Sequence, residues 1–288
     1  MKQVANRSSP TVRRRRLAKE LRQLRRQSGK TREAVAGYVG CSPVTVTRIE
    51  SAQTAGTVAI VARMLEFYGV KDAQLDVLLT LCREARKRGW WHHYSGTIPE
   101  WFEVYVGLEE EASEILSYQT EAIPGLLQIR DYIRAISMAG LQVPAEEELD
   151  RLVALRLKRQ ERLTASDAPK MWVVLNEAAI RREVGGRLTL REQLGHLIKV
   201  SHLNHVNLQI LPYSAGAHPA MDGPCCVLRF PEPNDPDVAY VQYRRGSLYM
   251  EQQSDVDAYI ELFDHLRARA LGPDESRALI AHVAGEMS

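Results

Sequence analysis

The sequence predicts an α+β protein of two domains, an all-α five-helix domain in front and a larger α+β domain with an antiparallel sheet behind it. Three observations carry this expectation. The chain has 288 residues, too long for one small module and about right for two. Its first ninety residues show only helical spacing of apolar side chains broken by glycines, whereas β-rich runs begin near Met171. The charge also divides: residues 1–90 hold 19 Lys+Arg against 7 Asp+Glu, net +12, and residues 91–288 hold 19 against 29, net −10. A basic head on an acidic body points to a polyanion as the partner of the head.

Composition narrows the class. Hydrophobic content of 45% and charged content of 26% are globular averages, which excludes wholesale disorder and fibrous repeats. Four cysteines, two of them adjacent (Cys225 and Cys226), make neither a disulfide framework nor a paired metal site, so a reducing cytoplasm is expected. No window reaches the roughly 18 apolar residues of a membrane span, and the first twenty residues lack the apolar stretch of a signal peptide. No membrane partner is therefore expected.

In the head, Leu17, Leu21 and Leu24 form an apolar stripe, with Arg22, Arg25 and Arg26 facing out. Gly29 suits the end of that helix, and Thr31 suits the cap of a second helix over Thr31–Val39, with Ala34, Val35 and Tyr38 inside. Gly40 breaks the chain and Ser42-Pro43 restarts it, serine at the cap and proline at the first helical position. The third helix, Ser42–Ser51, presents Val46 and Ile49 inward and Thr45, Thr47 and Arg48 outward. Thr57–Tyr68 and Lys71–Arg88 complete five helices. Two short helices around a glycine-containing turn in a basic segment form a helix-turn-helix unit and predict double-stranded DNA as partner. The quartet Arg13, Arg14, Arg15, Arg16 precedes the first helix. It reads either as part of a flexible basic arm, residues 1–15, that adds phosphate or minor-groove contacts, or as a solvated tail. Ser28-Gly29-Lys30-Thr31 ends like a phosphate-binding loop but lacks the first glycine and a preceding strand, so it is an interhelical turn.

The run TREAVAGYVGCSPVTVTRIESA resembles the helix-turn-helix of the lambda-repressor-like, Xre-type transcription regulators, and the resemblance extends over about residues 16–80. It implies that the third helix lies in the major groove and that the start of the second contacts phosphate. Carried over, Arg32 becomes a phosphate contact beside Lys30 and Thr31 at a positive helix end. Ser42, Val44, Thr45, Thr47 and Arg48 become the groove-facing set, with Arg48 able to pair with a guanine edge. Thr47 can equally be a solvated surface residue, and Glu50 reads as a salt-bridge partner. The family often carries glutamines where Pro43 and Val44 stand, so adenine readout by those two positions is lost and DNA shape gains weight.

The body starts at an aromatic junction, Gly89-Trp90-Trp91-His92-His93-Tyr94, where a docked head and no metal site are expected. A helix over Trp101–Thr120 follows, broken before Pro124-Gly125-Leu126-Leu127, then helices at Arg130–Ala139 and Ala145–Ala165, the latter acidic at its start and basic at its end. Strands are expected at Met171–Leu175, Asn207–Leu211, Cys225–Phe230, Val238–Tyr243 and Ser247–Glu251, with helices near Glu177–Val184 and Thr189–Asn204 between them. Turn-rich connections make the last three strands an antiparallel meander, and helices Asp255–Ala270 and Pro273–Glu286 close the chain. The domains are thus the arm at 1–15, the helix-turn-helix domain at 16–88, and the α+β regulatory and dimerisation domain at 89–288.

A second resemblance rests on GWWHHY, LEEEASEILSYQTEAIPGLLQIRDYIRA, RLKRQERL, LNEAAIRREVGG, QLGHLI, VNLQILPYSAGAHPAMDGP and FDHLRARAL. In this order they are similar to the uncharacterised domain that follows the helix-turn-helix in a large WhiJ-like regulator family of high-GC filamentous bacteria. The resemblance implies a regulator of development or antibiotic production, often encoded beside a small partner protein, without established chemistry.

The residues offer little to an enzyme. The last lysine, Lys199, precedes most strands, so a late Ser-Lys dyad cannot form, and H-E-x-x-H, nucleophile elbow, Rossmann glycines and P-loop are absent. His202 and His205 lack a third ligand at regular spacing, and Cys225-Cys226 read as core thiols. No catalysis, cofactor or metal is expected. His218, in the Gly/Pro-rich loop Ser214–Pro224, is a candidate ligand-binding residue or a loop-stabilising one. A homodimer is expected, because one head makes too few phosphate contacts for tight specific binding. The body then senses a small molecule, binds a small protein partner, or only dimerises. A sensor should enclose a pocket walled by residues such as Trp101, Tyr105 and Leu126, whereas a platform should expose an apolar or acidic patch. The rival reading is an antitoxin-like protein that sequesters a small partner and binds DNA as autoregulation.

Overall fold

Eighteen residues of the first helix, α1 (Pro10–Gln27), open the computed structural model, which describes residues 10–232 and 235–287. The chain divides into two compact units, one of residues 1–93 with Glu232–Asp235, the other of 94–231 with 236–288. In the first unit α1 is followed by α2 (Arg32–Val39), α3 (Pro43–Glu50), α4 (Val58–Phe67) and α5 (Asp72–Ala85). Leu17 and Leu21 of α1, Val35 of α2, Val46 and Ile49 of α3, Val61, Met64 and Leu65 of α4 and Leu78 of α5 meet in one core. The caps are those the sequence specifies. Thr31, Ser42 and Thr57 each accept a backbone N–H of the turn they open, and Gly40 ends α2 at φ +79, a conformation that disfavours side chains. The first helix starts earlier than expected: residues 10–15 belong to α1, so the flexible arm is corrected at least there, and residues 1–9 lie outside the described residues. Val12 and Arg15 are buried on this extension; the arginine run hides the helical period.

The second unit contains α6 (Glu100–Glu111), β1 (Glu114–Gln119), α7 (Arg130–Met138), α8 (Glu146–Gln160), β2 (Lys170–Asn176), α9 (Glu177–Arg181), α10 (Gly186–Val200), β3 (Val206–Leu211), β4 (Cys225–Arg229), β5 (Val238–Tyr243), β6 (Gly246–Met250), α11 (Gln253–Arg269) and α12 (Pro273–Glu286). Six strands form one sheet in the order β3-β2-β1-β4-β5-β6. The expected meander is present, with β4, β5 and β6 antiparallel. The sheet as a whole is mixed, however, because β1, β2 and β3 run parallel. A helix expected through Thr120 ends at Glu111, and β1 takes its place as a central strand. Ile115, Leu116 and Tyr118 are all buried, the pattern of a strand covered on both faces.

Strand alternation gives the sheet two different faces. Leu116, Tyr118, Val174, Val227 and Ala239 pack with Val256, Phe263 and Leu266 of α11. Ile115, Ser117, Gln119, Met171, Cys226, Tyr240 and Gln242 point to the opposite side, where a cavity lies.

Candidate functional site

Two sites emerge, one in each unit. In the first, α3 exposes Ser42, Pro43, Val44, Thr47 and Arg48 while Val46 and Ile49 are buried beneath. Val44 is 58% exposed. Thr45 is half-buried, its hydroxyl 3.0 Å from that of Ser42. Thr47 donates its hydroxyl to the Pro43 carbonyl at 3.0 Å, which turns it toward its own helix.

A buried carboxylate fixes how α1, α2 and α3 meet. Glu50 at the end of α3 accepts from Arg25 of α1 at 2.5 and 3.1 Å and from Arg32 Nε of α2 at 2.9 Å. Glu50 has no exposed side-chain surface, so the expectation of a structural ion pair matches the geometry. Arg32 is also part of this pairing: one edge of its guanidinium is held and the side chain remains 42% exposed. Lys30 lies with its ammonium 4.6 Å from the centre of the Phe67 ring, and Thr31 caps α2 through the Ala34 N–H at 3.2 Å. Arg63 donates to the Tyr38 and Val39 carbonyls and so closes the other end of α2. Arg13–Arg16 stand on α1; Arg15 is buried and burial lowers the Arg14 guanidinium from its ordinary value. An extended arm made of these four side chains is therefore replaced by a helical turn.

The second site is a cavity of about 600 Å³ on the open face of the sheet. Two helices wall it with single stripes. Trp101, Phe102, Tyr105 and Glu109 lie along one side of α6, and Leu152, Leu155, Arg156 and Arg159 along one side of α8. The third wall is the segment around Pro124–Gln128, pinned by glutamines. Gln160 donates to the Gly125 and Gln128 carbonyls at 3.0 and 2.6 Å, and fully buried Gln193 donates to the Leu127 carbonyl and accepts the Ile129 N–H, both at 2.7 Å. Trp101, Tyr105 and Leu126, singled out in the sequence as walls of a sensor pocket, all line this cavity.

Its charged groups were not singled out. Arg159 pairs with Glu109 through two bonds of 2.7 Å, with side-chain exposures of 5% and 3%. Burial lowers the Arg159 guanidinium, but the charge of Glu109 and its hydrogen bonds outweigh this and hold it above its ordinary value. The same guanidinium lies 5.2 and 5.7 Å from the ring centres of Phe102 and Tyr105. Arg156 differs. It donates to the Gln128 side-chain carbonyl at 2.6 Å, and among the described residues no carboxylate pairs with it. Burial, with the nearby charge of Arg159, pushes its pKa down to about 10. Tyr105 and Cys226 are 4.0 Å apart, and burial pushes both well above their ordinary values, so neither ionises near neutrality. Burial pushes the Cys225 thiol up to about 12.

His218 does not line this cavity. Its Nε2 is 3.3 Å from the Tyr118 hydroxyl, and the two rings meet edge to face. Burial, then the charge of Arg269, lowers its pKa, which keeps the ring neutral at pH 7. Arg269 donates to the neighbouring Ala217 carbonyl at 2.5 Å. These contacts tie the loop to β1 and α11, and the His218 Nδ1 is buried without a hydrogen-bond partner among the described residues.

Among the described residues no helix is long and apolar enough to cross a membrane. No curated protein and no solved structure matches the chain. Residues 16–78 match a helix-turn-helix domain, which makes the front unit a DNA-binding domain and the chain a DNA-binding regulator. Residues 102–282 match a domain of unknown function, DUF5753, and because that match spans most of its length the chain belongs to the DUF5753 family.

Proposed function

We propose that this regulator is of the Xre type, binds paired half-sites as a homodimer in the cytoplasm, and uses its second domain to sense a small molecule. One observation carries the sensing role: a cavity of about 600 Å³ lies within the range of small-molecule sites and joins an aromatic wall to a few placed polar groups. A protein-partner platform, including the antitoxin-like form, needs an exposed patch instead of an interior site. Of the exposed apolar side chains, Met138, Leu141 and Val143 sit together at the α7–α8 connection, whereas Leu188 and Met221 lie on other segments. The sensor reading is favoured because only the cavity joins an aromatic wall to placed polar groups.

On the DNA side, the exposed row Ser42, Val44, Thr47 and Arg48 supports groove contacts by α3. Lys30, Thr31 and Arg32, at the positive end of α2, support phosphate contacts. Glu50 ties α3 to α1 through Arg25 and to α2 through Arg32.

Native mass spectrometry of the full chain purified from its own host tests this reading. The expected spectrum holds twice the chain mass plus a small-molecule increment, and the increment disappears in Trp101→Ala. A bound small protein in place of the increment overturns the sensing role.

A further inference from the structure

The chemistry of the cavity identifies a class of ligand, an inference that rests on the sensing role proposed above. Three arginines line the cavity, Arg156, Arg159 and Arg244, against one carboxylate, Glu109. Glu109 is fully used by Arg159, whose two bonds to it are both 2.7 Å. Arg244 stands exposed at the rim, where water solvates it. Among the described residues, Arg156 is left as a half-buried cation whose one hydrogen-bond partner is a neutral amide oxygen. The groups facing it do not supply an anion. Gln128 offers its carbonyl, Gln160 is spent on the loop backbone, Arg159 is a like charge, and the Tyr132 phenol stays protonated because burial raises it. A guanidinium has five N–H donors in a planar fork, and one acceptor leaves most of them for an incoming oxyanion.

The remaining surface is flat and apolar. Trp101, Phe102 and Tyr105 come from α6, Tyr240 from β5, and the Phe102 and Tyr105 rings stack at 5.5 Å and 16°. Such walls favour a planar body over a branched aliphatic one.

We propose that the cavity takes a flat, mainly apolar small molecule bearing one anionic group, with the anion on Arg156 and the planar part against the aromatic wall of α6. Of the two lining arginines that Glu109 does not neutralise, only Arg156 is half-buried, so the cavity matches one buried negative charge, while Arg244 at the rim is open to solvent.

Two probes of nearly equal shape test this on the full chain. 1-Anilinonaphthalene-8-sulfonate carries one anionic group, and N-phenyl-1-naphthylamine has the same ring system without it. Fluorescence titration should show each binding at one site per chain in the wild type. In Arg156→Gln the anionic probe should weaken at least tenfold while the neutral probe changes less than threefold. Arg156→Lys, which keeps the charge, should retain most of the anionic preference and also covers the case in which the glutamine variant does not fold. Equal changes for both probes, or a lysine variant that loses the preference as fully as glutamine does, would overturn the anionic assignment and leave the cavity a site for neutral ligands. Absence of single-site binding by both probes, with no effect of Trp101→Ala on either, would overturn the sensing role itself.

Discussion

Glu109→Gln should damage the second unit far more than its isosteric change implies. Glu109 and Arg159 are both nearly inaccessible, and two bonds of 2.7 Å join α6 to α8 across the cavity. A guanidinium only donates, so a carboxamide replaces one of the two acceptors with a donor facing a donor. The Arg159 charge also stays buried without a counter-charge, and breaking a buried pair in this way costs about 3–5 kcal/mol. With a urea slope of about 2 kcal/mol per molar, the midpoint should fall by about 1.5–2.5 M. Trp101 on the same cavity wall and Trp172, bonded to Gln209 within the sheet, report the transition by fluorescence. Removing both charges, in Glu109→Leu with Arg159→Met, should return most of the loss, because a well-packed apolar pair replaces a buried ion pair at little net cost. The Phe102 and Tyr105 contacts of the guanidinium vanish in that double variant, so recovery should be incomplete by about 1 kcal/mol. A midpoint shift below about 0.5 M for Glu109→Gln, or a double variant no more stable than the single, would refute the claim that this pair ties the cavity walls together.

Other outcomes follow from the same geometry. Arg48→Ala should lose about 1–3 kcal/mol on a cognate site and relax specificity, whereas Arg32→Ala should weaken all sequences alike; fluorescence anisotropy on specific and random duplexes separates them. Ser42→Ala should destabilise the first unit by about 1 kcal/mol, read as a lower thermal midpoint by circular dichroism, since its hydroxyl accepts the Thr45 N–H at 3.1 Å. Iodoacetamide at pH 8 should label half-buried Cys41 well before Cys225 or Cys226, as mass spectrometry of the digest would show. The thiolate is the reactive form, and burial pushes the Cys225 thiol up to about 12, so its labelling should be slow at pH 8 and rise with each unit of pH.

The helix-turn-helix was legible because its signals are local. Thr31, Gly40 and Ser42-Pro43 act within one turn of their own position, and each does in the structure what its chemistry demands. The same holds for α12, where Pro273 opens the helix. β1 was not legible. It follows α6 with only Ala112 and Ser113 between, neither a glycine nor a proline, and its pairing partner β2 lies far along the chain. A strand buried on both faces shows no alternation, so a short apolar run after a helix reads as more helix. The start of α1 was hidden differently, since arginine stems cover apolar surface while the letters read as a polar arm. In the cavity, Trp101 and Tyr105 announced themselves as aromatics at helical spacing, but the basic end of α8 has an adequate local explanation in the helix dipole. That Arg156 and Arg159 turn inward is decided by the sheet beneath them, which no window of sequence contains.

The net charge of the body, −10, invites a basic partner, but a ligand in the cavity meets a different local field. Part of its acidic surface is paired in place, Glu146 and Asp150 with Arg134, Glu161 with Lys158, Glu286 with Arg181 and Glu114 with Arg229, and an excess of carboxylates remains. Charges on such a surface are screened within about 8 Å at physiological salt. A ligand inside the cavity therefore feels Arg156, half-buried and with no carboxylate partner among the described residues, more than the screened acidic exterior. Salt separates the two sites on one molecule. Binding of DNA by the basic head should fall steeply from 50 to 500 mM salt, with a log–log slope near −0.9 for each phosphate neutralised. Binding of 1-anilinonaphthalene-8-sulfonate engages one half-buried cation, so its slope should stay between about 0 and −1 over the same range. Equally steep slopes for probe and DNA would place the anion on exposed basic residues and not on Arg156.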